Sequence, residues 1–103
     1  MKYYLYILET INNTLYCGIT SDIKKRYKTH LEGKGAKYTK ANRPKRVVLA
    51  KEFENKSLAL KEEYRIKKTL NRNEKIELIK SNKIQTQKIL NNLYSINVQD
   101  SIL

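Results

Sequence analysis

The sequence is short of acidic residues. Ten Asp and Glu face 22 Lys and Arg, a formal charge of +12 over 103 residues. That imbalance favours a polyanionic partner: DNA, RNA or an anionic surface. Cysteine is nearly absent, and the single Cys17 excludes an internal disulfide and any multi-cysteine zinc site. No apolar run approaches the roughly 20 residues needed to span a bilayer. The opening Met1-Lys2-Tyr3-Tyr4 shows no apolar core followed by a small-residue cleavage site, as a secretory signal would. A cytoplasmic protein with no membrane partner is therefore expected. This length makes one domain with a modest core, and its oligomeric state is not legible.

What is present is tyrosine, eight in all, and a clear order of elements. Residues 2–8, KYYLYIL, are aromatic and β-branched enough for a strand. Tyr4, Tyr6 and Leu8 fall on one face, Tyr3, Leu5 and Ile7 on the other, so this strand is expected to be central and covered on both sides. Asn12-Asn13 signals a turn, and residues 14–19 return as a second strand. Asp22 or Ser21 can cap a helix running to about Glu32, which Gly33 can end with a positive φ. Pro44 and two glycines argue against one regular element across 33–46. A third strand is expected at 47–53, a long helix at 57–70 capped by Ser57, and a short one at 74–80 with Ile76 and Ile79 turned inward. Beyond Ser81 the composition shifts to Asn, Gln and scattered aliphatics. There the spacing of Ile89, Leu93 and Ile96 fits either a weakly amphipathic helix or a mobile tail. The expected division is a domain over 1–80 and an extension over 81–103.

Three features carry chemistry. In LYCGITSDIKKRYKTHL (15–31), Ile23, Tyr27 and Leu31 form an apolar helical stripe. Arg26 and His30, four apart, share the face beside it. In the long helix, Ala59, Ile66 and Leu70 form another stripe with Glu63 in its middle, where a carboxylate is costly unless something cationic meets it. Between them, Lys34, Lys37, Lys40, Arg43, Lys45 and Arg46 occur with no acid. That stretch is expected to contact DNA phosphates, with Tyr38 stacking on an exposed base. No base-reading recognition helix is evident, so little sequence preference is expected.

Tyr4-Leu5-Tyr6, Tyr16-Cys17-Gly18, Arg26 and His30, in this order and spacing, resemble the GIY-YIG nuclease domain. The resemblance is closest to its small single-domain bacterial members, in which GKGAKYT (33–39), SLAL (57–60) and Glu63-Tyr64-Arg65 also find counterparts. It covers roughly residues 1–80. It implies an α/β fold with a three-stranded antiparallel β-sheet flanked by helices, in strand–strand–helix–strand–helix–helix order. It also implies a metal-dependent endonuclease acting on DNA, in repair or recombination. Tyr16 would be the general base or orient the attacking water, and Tyr6 would position the nucleophile or the phosphate. Arg26 would grip the phosphate, His30 would bond the phosphate or shuttle a proton, and Glu63 would hold a single Mg²⁺ or Mn²⁺. A free tyrosine has a pKa of about 10, so a tyrosine base at neutral pH needs nearby cations. Two positions depart from the pattern: the first motif lacks its glycine, and Ile19 stands where the repair-nuclease branch has a lysine.

Two other classes fit the same residues. One is a nucleic-acid-binding module without cleavage. The other is a protein-interaction subunit that docks through the Ile89–Ile96 segment.

Overall fold

Tyr3–Thr10 form β1, the strand around which the other elements are arranged. The computed structural model describes residues 1–93. β1 pairs antiparallel with β2 (Leu15–Thr20) on one side and β3 (Pro44–Phe53) on the other, in the order β2-β1-β3. The hairpin between β1 and β2 turns at Asn12-Asn13, and Asn13 takes φ 60°, a conformation asparagine tolerates.

The two faces of β1 build two cores. Tyr6 and Leu8 pack with Val47 and Ala50 against Ile23 and Tyr27 of α1 (Ile23–Leu31) and Leu90 of α5 (Lys83–Leu93). Leu5 and Ile7 pack with Cys17 and Leu49 against Ile66 of α3 (Lys56–Thr69), with Leu78 and Ile79 of α4 (Arg72–Ser81) beside them. Both alternating faces of the first strand are thus buried, as its double apolar pattern requires.

The expected three-stranded antiparallel sheet with flanking helices is present, in the expected order. The differences lie at boundaries. Asn55, rather than Ser57, caps α3, its side chain accepting from the Leu58 amide at 3.0 Å. The basic stretch is not one regular element, as expected, but β3 starts earlier than 47. The stretch contains a short helix, α2 (Lys37–Ala41), and β3 begins at Pro44. Proline suits the first position of a strand because it has no amide to donate to the ladder. Gly33 ends α1 with φ 76°, the left-handed conformation that glycine adopts without strain.

The segment beyond residue 82 forms α5 over Lys83–Leu93 and lies on the sheet. Leu90 is 1% exposed, and Ile89 and Leu93 pack against the same cluster. The side chains that suggested a docking helix therefore face the chain's own core. Ile96 lies outside the described residues.

Candidate active site

The sheet register brings the two motif tyrosines together. Tyr6 pairs with Gly18 across the strands, which places Tyr16 on the same face one pleat away. Their ring centroids are 6.4 Å apart. Gly18 is required by this arrangement. A Cβ there would sit 2.6 Å from Tyr6 Oη and 2.8 Å from Cζ, inside van der Waals contact. Tyr6 is 3% exposed, so its ring cannot swing clear. Gly18→Ala is expected to cost about 1–3 kcal/mol, as overpacking does, and to move the Tyr6 hydroxyl. A urea denaturation series checks the first effect. A midpoint equal to the parent's would show the ring is not confined.

α1 supplies the polar partners. Asp22 caps it, accepting from the Lys25 amide at 3.1 Å, and this fixes where its first turn begins. One turn in, Arg26 Nε donates to Tyr6 Oη at 3.4 Å. One turn further, His30 Nε2 lies 2.9 Å from the same hydroxyl. The His30 ring stands edge-on to both tyrosines, with centroids 5.8 Å from Tyr6 and 5.4 Å from Tyr16. Its other nitrogen, Nδ1, is 2.6 Å from Thr39 Oγ1.

Burial sets the protonation of this group. It pushes the Tyr6 phenol up to about 12, although the Arg26 hydrogen bond pulls the other way. It pushes His30 down to about 4, helped by the positive charge of Arg26. Both side chains are neutral at pH 7. The two hydroxyls, Tyr6 more than Tyr16, favour the charged guanidinium of Arg26. His30 is fully buried, so the direct phosphate contact open to it in the sequence is not offered by this position.

The basic stretch borders the tyrosines. Tyr38, on α2, stacks on Tyr16 with centroids 5.9 Å apart and planes at 18°, and remains 40% exposed. Lys34, Lys37, Lys40 and Lys45 are exposed. Two of the six cations have partners among the described residues. Arg43 donates to the Leu31 carbonyl at the end of α1, and Arg46 pairs with Glu9 at 3.0 Å.

Glu63 comes from α3, across the sheet. Its Oε2 meets Lys67 Nζ at 3.2 Å, and that ammonium lies 5.8 Å from the Tyr16 ring centroid. Tyr16 is on the edge strand β2, where α3 can reach its ring. Lys67 thus stands between the carboxylate and the tyrosine. No group of three or more His, Cys, Asp or Glu placed to hold a metal ion occurs among the described residues. What Glu63 offers a metal is one partly exposed carboxylate already facing a cation. That donor set fits Mg²⁺ or Mn²⁺, which take one or two protein carboxylates together with phosphate oxygens and water.

Two residues of this constellation were not singled out in the sequence. Lys67 could have been found as the residue four after Glu63 on the same helix face. Thr39 gave a weaker signal. A threonine three residues after a helix N-cap reads as part of a local cap, and nothing local pairs it with a histidine nine residues earlier.

The model of the GIY-YIG catalytic domain matches residues 2–77. UPF0213 protein YsiG of Lactococcus lactis is 44% identical over 84 residues, 82% of this chain and 81% of the relative. A UPF0213 protein of Clostridium perfringens is 45% identical over 84 residues, 82% of this chain and 89% of that one. The solution NMR structure of the UPF0213 protein BH0048 from Bacillus halodurans superposes with TM-score 0.53 at 40% identity, covering 81% of this chain and 87% of that one. With the family model matching residues 2–77 and these relatives 44–45% identical over 81–89% of their own length, the chain belongs to the GIY-YIG catalytic domain family.

Proposed function

We propose that this chain is a divalent-metal-dependent endonuclease that hydrolyses DNA phosphodiester bonds with little sequence preference. The observation that carries the reading is the meeting of Tyr6, Tyr16 and the Arg26 guanidinium beside an exposed basic segment. The lysines of that segment draw in the backbone, and Arg26 is the cation placed to hold the scissile phosphate. The two tyrosines divide the work. Tyr6 is buried, resists ionisation and is tied to His30, so it holds and orients. Tyr16 is the less buried of the two, and its hydroxyl accepts a hydrogen bond from the attacking water and aims it at phosphorus. Lys67 lies over its ring, and Arg26 is close to it. Glu63 would hold the Mg²⁺ or Mn²⁺. Such an ion, when bound, neutralises charge on the phosphate and on the leaving oxygen. An enzyme that grips backbone and reads no bases suits repair or recombination, where structure marks the substrate.

The test is a cleavage assay on single-stranded, duplex and branched DNA with Mg²⁺ or Mn²⁺. Cleavage is expected with either ion and none with EDTA, while binding persists in EDTA and weakens steeply with salt. If all three substrates are bound and none is cut, the chain is a nucleic-acid-binding module and the enzyme reading falls.

A further inference from the structure

Tyr6 and the two buried polar side chains behind it, His30 and Thr39, form a line whose hydrogen atoms can be counted. Thr39 is fully buried, as is His30. The Thr39 hydroxyl donates to the Ala36 carbonyl at 3.1 Å and accepts from the Ala36 amide at 3.2 Å. A hydroxyl has one hydrogen. With that hydrogen on the Ala36 carbonyl, Thr39 Oγ1 can only accept from His30 Nδ1, 2.6 Å away. His30 Nδ1 then carries the ring proton, and Nε2 is the acceptor.

The other end of the line gives the same answer. Tyr6 Oη has two partners among the described residues, Arg26 Nε and His30 Nε2. Arginine can only donate. Tyr6 is almost fully buried, so its own hydrogen needs a protein acceptor, and Nε2 is the one within reach. The opposite tautomer would leave the Tyr6 hydrogen without an acceptor, costly in a buried place; the Ala36 carbonyl, which also accepts from the Lys40 amide at 3.0 Å, would lose only its second donor.

We infer that Thr39 is a positioning residue that fixes His30 as its Nδ1–H tautomer. Through His30 it turns the Tyr6 hydrogen into the protein. The order of donation is Tyr6 to His30, His30 to Thr39, and Thr39 to the Ala36 carbonyl. The Tyr6 oxygen is left with only lone pairs toward Arg26, which donates to it. Its place in catalysis rests on the nuclease reading above; the tautomer does not.

Two further features tie the arrangement to α2. A Cβ at residue 35 would lie 2.2 Å from His30 Nδ1, so Gly35 lets the chain pass close against the imidazole. Tyr38, next to Thr39, stacks on Tyr16. Consecutive residues of one short helix therefore set both site tyrosines, one by direct stacking and one through His30. The basic segment is a support for the site as well as a contact for nucleic acid.

His30 is the sole histidine, so a long-range ¹H–¹⁵N spectrum of the ¹⁵N-labelled full chain shows one imidazole. At pH 7 the expected pattern is a neutral ring with Nδ1 protonated and Nε2 bare. Nε2 protonated instead, or a charged ring, overturns the inference without any variant. Thr39→Val keeps the branched shape and removes the acceptor, and should shift the ring toward the Nε2–H form. Thr39→Ser should restore the parent pattern. An unchanged spectrum in folded Thr39→Val also overturns it. In the cleavage assay, Thr39→Val should lower kcat about tenfold to a hundredfold with KM little changed, and Thr39→Ser should recover it. A parent protein with the expected tautomer but no cleavage would refute the nuclease reading and leave the positioning of Tyr6 standing.

Discussion

Glu63→Gln is expected to lower the cleavage rate about a thousandfold or more while leaving the protein folded and able to bind DNA. Several kcal/mol of transition-state stabilisation depend on a metal ion at the phosphate, and each 1.36 kcal/mol is about tenfold in rate. Glutamine keeps the shape of the side chain and loses the charge that a hard divalent cation needs. The fold should tolerate the change. The pair with Lys67 is on the partly exposed side of α3, and such pairs contribute about 0–1 kcal/mol. Removing one negative charge from a chain of formal charge +12 should, if anything, tighten nucleic-acid binding.

The neighbouring Glu62 is the control. Both of its oxygens are engaged, Oε1 with Arg65 Nε at 2.7 Å and Oε2 with Arg65 Nη2 at 3.0 Å, and Lys51 lies 3.6 Å away. The Arg65 bonds hold its carboxyl below the usual range. It is tied on its own side of the helix, whereas Glu63 gives one oxygen to one lysine. Glu62→Gln should therefore leave cleavage near the parent rate. Cleavage by Glu63→Gln within tenfold of the parent would remove Glu63 as the metal-holding residue.

The sequence showed the site's parts more clearly than their arrangement. Residues four apart on a helix must share a face, so Arg26 and His30 were legible as a pair. The apolar stripe around Glu63 likewise marked that carboxylate as unusual. The hairpin reading brought Tyr6 and Tyr16 together, because a two-sided apolar strand and an Asn-Asn turn leave few other pairings. What could not be read were contacts between elements distant in sequence. That His30 would be sealed in by Thr39 and Gly35 depends on how a five-residue helix sits against α1. That Arg43 would hold the end of α1 depends on the same placement, and in the sequence Arg43 looked like any other cation of the basic stretch. Charge composition identified a polyanion-seeking surface, but not which of its charges were already committed to the protein.

The weak signal beyond residue 82 leads to the second large effect. A chain ended at Asn82 is expected not to hold the native fold. α5 covers the face of the sheet that carries Tyr6, Leu8, Val47 and Ala50. Truncating one buried leucine such as Leu90 to alanine costs about 2–5 kcal/mol, and loss of the whole helix uncovers Ile89 and Leu93 contacts as well. A domain of this size is stable by only about 5–15 kcal/mol. The helix also protects an edge. Thr86 Oγ1 accepts from the Ala50 amide at 3.1 Å and donates to the Ala50 carbonyl at 3.3 Å, on the side of β3 that no described strand pairs. Without it an apolar strand edge is open to pairing with another chain. The same face holds Tyr6, so truncation should remove cleavage together with cooperative unfolding. Leu90→Ala grades the effect: it should fold, lose about 2–5 kcal/mol in urea and keep the Tyr6–His30 arrangement. A 1–82 chain that unfolds cooperatively at the full-length midpoint would show that residues 1–82 carry the stability by themselves, and α5 would be an addition to the nuclease fold instead of a wall of its core.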